Sequence, residues 1–209
     1  MKLYSYWRST TSYRVRAALN YKGLEYETQS IDLVAGEQST EDYIALNPGG
    51  GVPTLMTHDG ATLTQSMAIL EWLEETHPYP ALLPNDTKER AKVRAAALTI
   101  ATDIHPVNNL RVVAELKKNG FNQEGCVAWM NHWMSQGLTA FQSMIYANTQ
   151  FSFGSSPGLA DICLVPQLYN ARRWGCELSP FARLIEIETH CLALPAFDSA
   201  RPDNQPDAA

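Results

Sequence analysis

Between positions 8 and 16 the chain reads Arg8-Ser9-Thr10-Thr11-Ser12-Tyr13-Arg14-Val15-Arg16, with four consecutive hydroxyl side chains behind one cation and ahead of two more. Just upstream, Leu3 to Trp7 is a short, mostly apolar run. A strand that ends in such a turn and opens a helix gathers side-chain oxygens and free backbone N–H groups at one point, an arrangement that stabilises an anion. Capping the helix uses one hydroxyl, and the run supplies a surplus. A thiolate suits that surplus, because a hydroxyl donor together with a helix N-terminus lowers a thiol pKa. No cysteine lies in this stretch, so the thiol would have to arrive with a ligand.

Further stretches carry groups of related chemistry. Val52-Pro53 follows Gly49-Gly50-Gly51. An X-Pro step entering a strand after flexible glycines is a good place for a cis bond, although a trans proline at a strand's first residue also fits. A cis bond would leave the N–H and C=O of Val52 facing outward, free to pair with a peptide-like ligand as an added strand. Ser66 is predicted to be a helix N-cap; the same geometry binds a carboxylate, with the donor and acceptor of Gln65 beside it. Asp103-Ile104-His105-Pro106, with Asn108, Asn109 and Arg111, breaks an apolar stripe. It reads either as a satisfied core His–Asp pair or as a pocket wall in which His105 and Arg111 take carboxylates. Arg172-Arg173 face the same pocket or solvent; adjacent helical positions sit about 100° apart, so at most one points fully inward. Gly158-Leu159-Ala160-Asp161 has capping-box spacing, which makes Asp161 structural.

The elements that must position these groups follow from periodicity. Strands are predicted over 2–6 and 25–31, with a helix over 11–22 between them that carries Val15, Ala18 and Leu19 on one face and stops at Gly23. Ser39 or Thr40 caps a short helix that ends before Asn47-Pro48. Runs 54–57 and 62–63 flank Asp59-Gly60, a hairpin signal, and a helix then runs to His77 with Ile69, Trp72 and Leu73 inward. This βαβ then ββα order predicts a small mixed sheet. Pro78 to Pro84 reads as a linker. From Thr87 onward the pattern is helical. One stripe is Val93, Ala96, Ala97, Ile100, Ala101 and Ile104, which Pro106 should bend; another is Val127, Met130, Met134, Phe141 and Ile145. A further helix spans about 158–174. The expected division is an α/β unit over 1–80 and an all-α unit over 87–209, with a frayed tail from Arg201.

Composition narrows the function classes. The 209 residues are 45% hydrophobic and 10% aromatic, enough for a substantial core. A formal charge of −6 argues against nucleic acid, while Arg8, Arg14, Arg16, Arg111, Arg172 and Arg173 leave room for a locally basic pocket. The four cysteines, Cys126, Cys163, Cys176 and Cys191, have no metal-type spacing and read as reduced, partly buried residues. No apolar run suggests a membrane span and the N-terminus lacks the layout of a secretory signal, so a cytoplasmic protein is expected.

The stretch Arg8–Leu19 and the stretch Asp103-Ile104-His105-Pro106-Val107-Asn108-Asn109 together resemble the zeta class of the glutathione transferases. The arrangement with Val52-Pro53 and Gln65-Ser66, a thioredoxin-like unit followed by a helical one, resembles that superfamily over essentially the whole chain. The resemblance implies the glutathione transferase fold, glutathione as cofactor and a homodimer. It implies cis–trans isomerisation of a maleyl-type dicarboxylate: maleylacetoacetate to fumarylacetoacetate in aromatic amino-acid breakdown, or maleylpyruvate in gentisate breakdown. Carried over residue by residue, Ser9 and Thr11 flank the thiol, Val52 pairs with the cysteinyl backbone, and Gln65 and Ser66 hold the γ-glutamyl carboxylate. Gln38, His105, Asn109 and Arg111 contact other parts of glutathione or the substrate, and Asp103 belongs to the same matching stretch.

The chemistry so implied needs Ser9, Thr10 and the helix N-terminus to keep the thiol ionised. It needs Arg8, Arg111 and Arg173 to hold the carboxylates and to stabilise charge on an enolate oxygen. Two departures stand out. Animal zeta enzymes carry cysteine where this chain has Thr11, and Thr11-Ser12 instead resembles the bacterial maleylpyruvate enzymes. Gly158 replaces the usual Ser/Thr cap before Asp161. A transferase or dehalogenase that consumes glutathione with haloacids, and a non-catalytic glutathione-binding module, are the rival readings.

Overall fold

In a computed structural model, which describes residues 1–208, the chain forms two compact units. One is Met1–Leu82 together with the stretch from Leu192 onward; the other is Leu83–Cys191.

The first unit is built on a four-stranded sheet of β1 (Lys2–Ser5), β2 (Glu27–Ser30), β3 (Thr54–Met56) and β4 (Thr62–Thr64), in the order β2-β1-β3-β4. β1 runs parallel to β2 with Leu3 opposite Thr28, and antiparallel to β3 with Leu3 opposite Leu55. Leu3 and Leu55 are fully buried, as the period-two alternation of a one-sided sheet requires. Helix α1 (Thr10–Tyr21) buries Val15, Ala18 and Leu19 and packs on α3 (Ser66–Thr76). It ends where Gly23 adopts φ +66°, which lets the Leu24 N–H reach back to the Leu19 carbonyl at 2.9 Å. Thr40 caps the short α2 (Glu41–Leu46). On α3 the inward positions are Ile69, Leu70 and Leu73; the expected inward Trp72 is half-buried, with its ring edge-on to His77.

Three expectations are corrected here. Ser66 is the first residue of α3 rather than its cap; Gln65 precedes it at φ +67°, with no side-chain cap bond. The proline-rich linker, within which the two units divide after Leu82, is pinned at its start: the buried Lys22 ammonium donates to the carbonyls of His77 and Pro80 at 2.6 and 2.8 Å and to Glu74 at 3.1 Å. The tail is docked rather than frayed: the Trp7 N–H holds its Asp207, and α1 holds the residues that lead into it. Arg16, fully buried, donates to the carbonyls of Ala200 and Trp7, Tyr13 to that of Phe197, and the Trp7 N–H to the Asp207 carboxylate. Where the sequence put 87–209 together, the stretch from Leu192 therefore packs with the first unit.

The second unit is helical: α4 (Thr87–Leu98), α5 (Leu110–Lys118), α6 (Gln123–Met144), α7 (Leu159–Arg173) and α8 (Ala182–Leu192). A last short helix, α9 (Pro195–Asp198), belongs to the returning tail. α4 passes into a π-helical turn over Thr99–Ile104, with the His105 N–H bonded to the Ile100 carbonyl, and then into a 3-10 turn over Pro106–Asn108. Pro106, without an N–H, thus ends the helix rather than merely bending it. Gly137 of α6 makes room for this turn, since a β-carbon there would lie 2.2 Å from Ile104. Asp161, fully buried near the start of α7, accepts the backbone N–H groups of Gly158 and Ser152 at 2.8 and 2.9 Å. Burial pushes its carboxyl pKa up, against the pull of those two donors.

Candidate active site

The hydroxyl run opens α1. Ser9 is its N-cap, with extended backbone, and its Oγ accepts the Ser12 N–H at 3.2 Å. Ser9 Oγ also lies 2.9 Å from Thr11 Oγ1, and Thr11 donates to the Val52 carbonyl at 2.8 Å. The Val52-Pro53 bond is cis. Thr10, the first residue of the helix, is buried. Ser9, Thr11 and Val52 are therefore brought together across 41 residues of sequence. The expectation of an outward, free Val52 backbone is half corrected: its carbonyl takes the Thr11 hydroxyl, while its N–H meets no acceptor among the described residues.

The loop before Val52 is held from below. Tyr43 Oη and Asn47 Nδ2 both donate to the Gly51 carbonyl at 2.7 Å, and each also meets Thr54 Oγ1 at 3.0 Å. Burial raises the Tyr43 phenol pKa, which keeps it a neutral donor. Gly50 adopts φ +57°, and a β-carbon on it would press Ile44 at 3.3 Å and the Gln38 carbonyl at 3.6 Å. Gln38 thus flanks this loop, with its side-chain carbonyl oxygen buried and unpartnered. At the start of α3, Gln65 is the one non-glycine residue with positive φ among those described. Such backbone costs of order 1–3 kcal/mol and persists where its surroundings enforce it. The Ser66 hydroxyl accepts from the buried Arg14 guanidinium at 3.3 Å, so Arg14 and Arg16 act inside the fold rather than as pocket cations.

Arg8 sits beside the hydroxyl run. Its guanidinium lies 4.5 Å from the Trp7 ring centroid, Tyr6 Oη receives one of its N–H groups at 3.3 Å, and its Nε is buried without a hydrogen-bond partner. Tyr6 and Trp7, read from sequence only as strand, are what aims it.

The N-terminal domain family of glutathione S-transferases matches residues 8–76, the stretch that holds Arg8, the hydroxyl run, Val52 and Gln65-Ser66. The maleylacetoacetate isomerase of Pseudomonas aeruginosa is 46% identical over 209 residues, covering 99% of this chain and 98% of its own. The chain belongs to the zeta class of the glutathione transferases. A zeta-class maleylpyruvate isomerase, solved in its holo form, superposes with a TM-score of 0.97 at 43% identity over the whole of both chains. The maleylacetoacetate isomerase of Anaeromyxobacter dehalogenans superposes at 0.90 and 45% identity with GSH bound, and at 0.89 and 44% with dicarboxyethyl glutathione and citrate bound. In both cases it covers 100% of this chain and 97% of its own.

The zeta-class stretch at 103–109, with Arg111 just after it, lies in the second unit and is built differently. Asp103 is exposed and accepts from Thr102 at 3.1 Å; His105 is half-buried at the end of the π turn. Asn109 is the N-cap of α5 and accepts the Arg111 N–H at 3.2 Å, and the exposed Arg111 guanidinium has no partner among the described residues. The two arginines of α7 diverge. Arg172 is bound in bidentate fashion to the buried Glu188, while Arg173 lies 4.9 Å from the Trp174 ring. The four cysteines are buried and outside any disulfide, and burial raises the thiol pKa values of Cys176 and Cys191. Among the described residues no cluster fits a metal ion and no helix is long and apolar enough to cross a membrane.

Proposed function

We propose that this chain is a glutathione-dependent cis–trans isomerase that converts maleylacetoacetate to fumarylacetoacetate. The observation that carries the reading is the junction of Ser9, Thr11 and the Val52 backbone at the start of α1. A helix N-terminus with hydroxyls suits a thiolate, an unsatisfied Val52 N–H suits a peptide, and the chain's own thiols are buried elsewhere. These groups fit glutathione. Bound glutathione supplies a thiolate whose addition to the maleyl double bond leaves a rotatable single bond, and whose departure restores the double bond in the trans form.

The chain's residues do the rest. Ser9 and the N–H groups at Thr10 and Thr11 hold the sulfur ionised, Val52 pairs with the cysteinyl backbone, and Gln65 and Ser66 take the γ-glutamyl carboxylate. Gln38 flanks the loop that leads into Val52. Arg8 holds a substrate carboxylate and faces the charge that develops on oxygen; Arg111 and Arg173, with Asp103, His105 and Asn109, serve the dicarboxylate or the rest of glutathione. We assign glutathione handling to 1–80 and the dicarboxylate side to the helical part from 87. Buried reduced cysteines favour a cytoplasmic enzyme, and we propose a homodimer as its working unit.

Maleylpyruvate is the second reading, favoured by the 0.97 superposition and by Thr11-Ser12. The deciding experiment supplies each cis substrate with catalytic glutathione and follows loss of its absorbance. Turnover of maleylacetoacetate with total thiol constant is expected. Faster turnover of maleylpyruvate would reassign the substrate. Thiol consumption with a haloacid would make it a transferase, and binding without turnover of either maleyl substrate would make it a binding module. Ser9→Ala should leave glutathione bound with its thiol pKa raised.

A further inference from the structure

The hydrogen bonds around Ser9 have a direction that the thiol-binding reading does not anticipate. The Val52 carbonyl has no proton, so in the 2.8 Å contact Thr11 is the donor. A hydroxyl has one proton, so Ser9 must be the donor in the 2.9 Å contact with Thr11. Ser9 meanwhile accepts the Ser12 N–H. The chain therefore runs one way, from Ser12 through Ser9 and Thr11 to the Val52 carbonyl. As it stands, Ser9 has no proton left for a sulfur.

We propose that Thr11 is a positioning residue that ties release of the Ser9 proton to docking of a peptide amide on Val52. Turning the Ser9 proton to a ligand sulfur leaves two hydroxyl oxygens 2.9 Å apart with nothing between them. Thr11 relieves this only by turning its own proton back to Ser9. That move strips the Val52 carbonyl of its donor, unless an incoming N–H replaces it. With the ligand amide on Val52 each acceptor stays satisfied, and the Ser9 proton meets a thiolate in a charge-assisted bond stronger than the one it leaves. No covalent bond is made or broken; two hydroxyl protons and one ligand N–H change partner. The inference rests on glutathione lying along Val52 with its sulfur at Ser9.

The test compares glutathione with its ester analogue, in which oxygen replaces the cysteinyl N–H. The thiol pKa is read from the ultraviolet thiolate band on the saturated full chain, each relative to the same thiol in buffer. On the wild type the ester should have the higher bound pKa, by about one unit, a tenfold smaller thiolate ratio. In Thr11→Val, Ser9 has no competing acceptor, so the two ligands should shift equally; Thr11→Ser should restore the difference. A difference of the same size in Thr11→Val as in the wild type, or none in the wild type, overturns the proposal. If binding to the wild type does not lower glutathione's own thiol pKa, the Ser9 reading fails instead.

Discussion

Helix α1 and helix α5 both carry polar groups that the zeta-class resemblance assigns to ligands, yet they are built in opposite ways. Nine of the 12 residues of α1 are buried, and Thr11 in its first turn is bonded to the capping Ser9 and to the Val52 carbonyl. α5 has nine residues and none is buried, and its Arg111 guanidinium stands in solvent. The difference is one of preorganisation. Groups fixed before a ligand arrives lose little freedom when it binds, so the thiol end suits a cofactor that is always the same. Exposed side chains on a thinly packed helix must be ordered by the substrate itself. On the roles proposed above, substrate discrimination falls to Arg111 and the 103–109 stretch, and thiol chemistry to the opening turn.

The largest expected effect attacks the rigidity of the first of these regions. Lys22 closes α1 onto α3 and the Pro78–Pro84 stretch, with its side chain fully buried against Glu74, and Glu74 also takes the Leu82 N–H at 2.9 Å. Lys22→Met keeps the packing but leaves a buried carboxylate without its cation. Removal of one partner from such a pair costs about 3–5 kcal/mol, or roughly 10 °C in Tm for a chain of this size. Thermal unfolding followed by circular dichroism checks it. A change under about 1 kcal/mol would mean that the first unit does not rely on this anchor. An equivalent change on α5, such as Arg111→Met, should leave Tm unaltered.

Much of the fold was legible in the sequence because it is set locally. The end of α1 at Gly23, the Thr40 cap, the Asp59-Gly60 hairpin and the buried Asp161 all follow from residues within a few positions of one another. What was not legible depends on partners far along the chain. Arg16 looked like a pocket cation because nothing near it in sequence announces the Ala200 carbonyl, 184 positions away. The tail looked frayed for the same reason: nothing in its proline and aspartate composition announces that Asp207 takes the Trp7 N–H, 200 positions away. Ser66 looked like a cap because Ser usually is one; the positive φ of Gln65, which displaces it, is enforced by tertiary surroundings and leaves no compositional trace. At the site, the residue types at 9–11 and 52 were readable. The direction of their hydrogen bonds was not, since it follows from a carbonyl brought alongside by folding.

A second, smaller effect concerns Arg8, which belongs to the ordered region and which we propose holds a substrate carboxylate. With Tyr6 and Trp7 holding it, Arg8→Ala should lower kcat about 10²-fold, the loss typical of one missing oxyanion donor. Glutathione affinity and thiol pKa should be retained. Steady-state kinetics alongside thiolate absorbance separates the two roles. A raised thiol pKa in this variant would move Arg8 from the substrate to the sulfur. Tyr6→Phe, which removes only the hydrogen bond that aims Arg8, should give a partial loss in the same direction.

The smallest expected effect is also the one that tests the division of labour most directly. The Arg111 side chain has no intramolecular partner among the described residues, so Arg111→Ala leaves no buried group stranded and should fold normally. If substrate ordering is its task, the loss appears in KM, about tenfold, since one exposed charge-assisted hydrogen bond is worth roughly 1.4 kcal/mol. The thiol pKa should stay where it was. The effect should also differ between maleylacetoacetate and maleylpyruvate, because a cation that swings free meets the longer and the shorter acyl chain at different points. An equal loss for both substrates would instead make Arg111 a grip on the shared maleyl carboxylate. A loss in kcat alone would place it with Arg8, and the contrast between a preorganised thiol end and an adaptable substrate end would no longer hold.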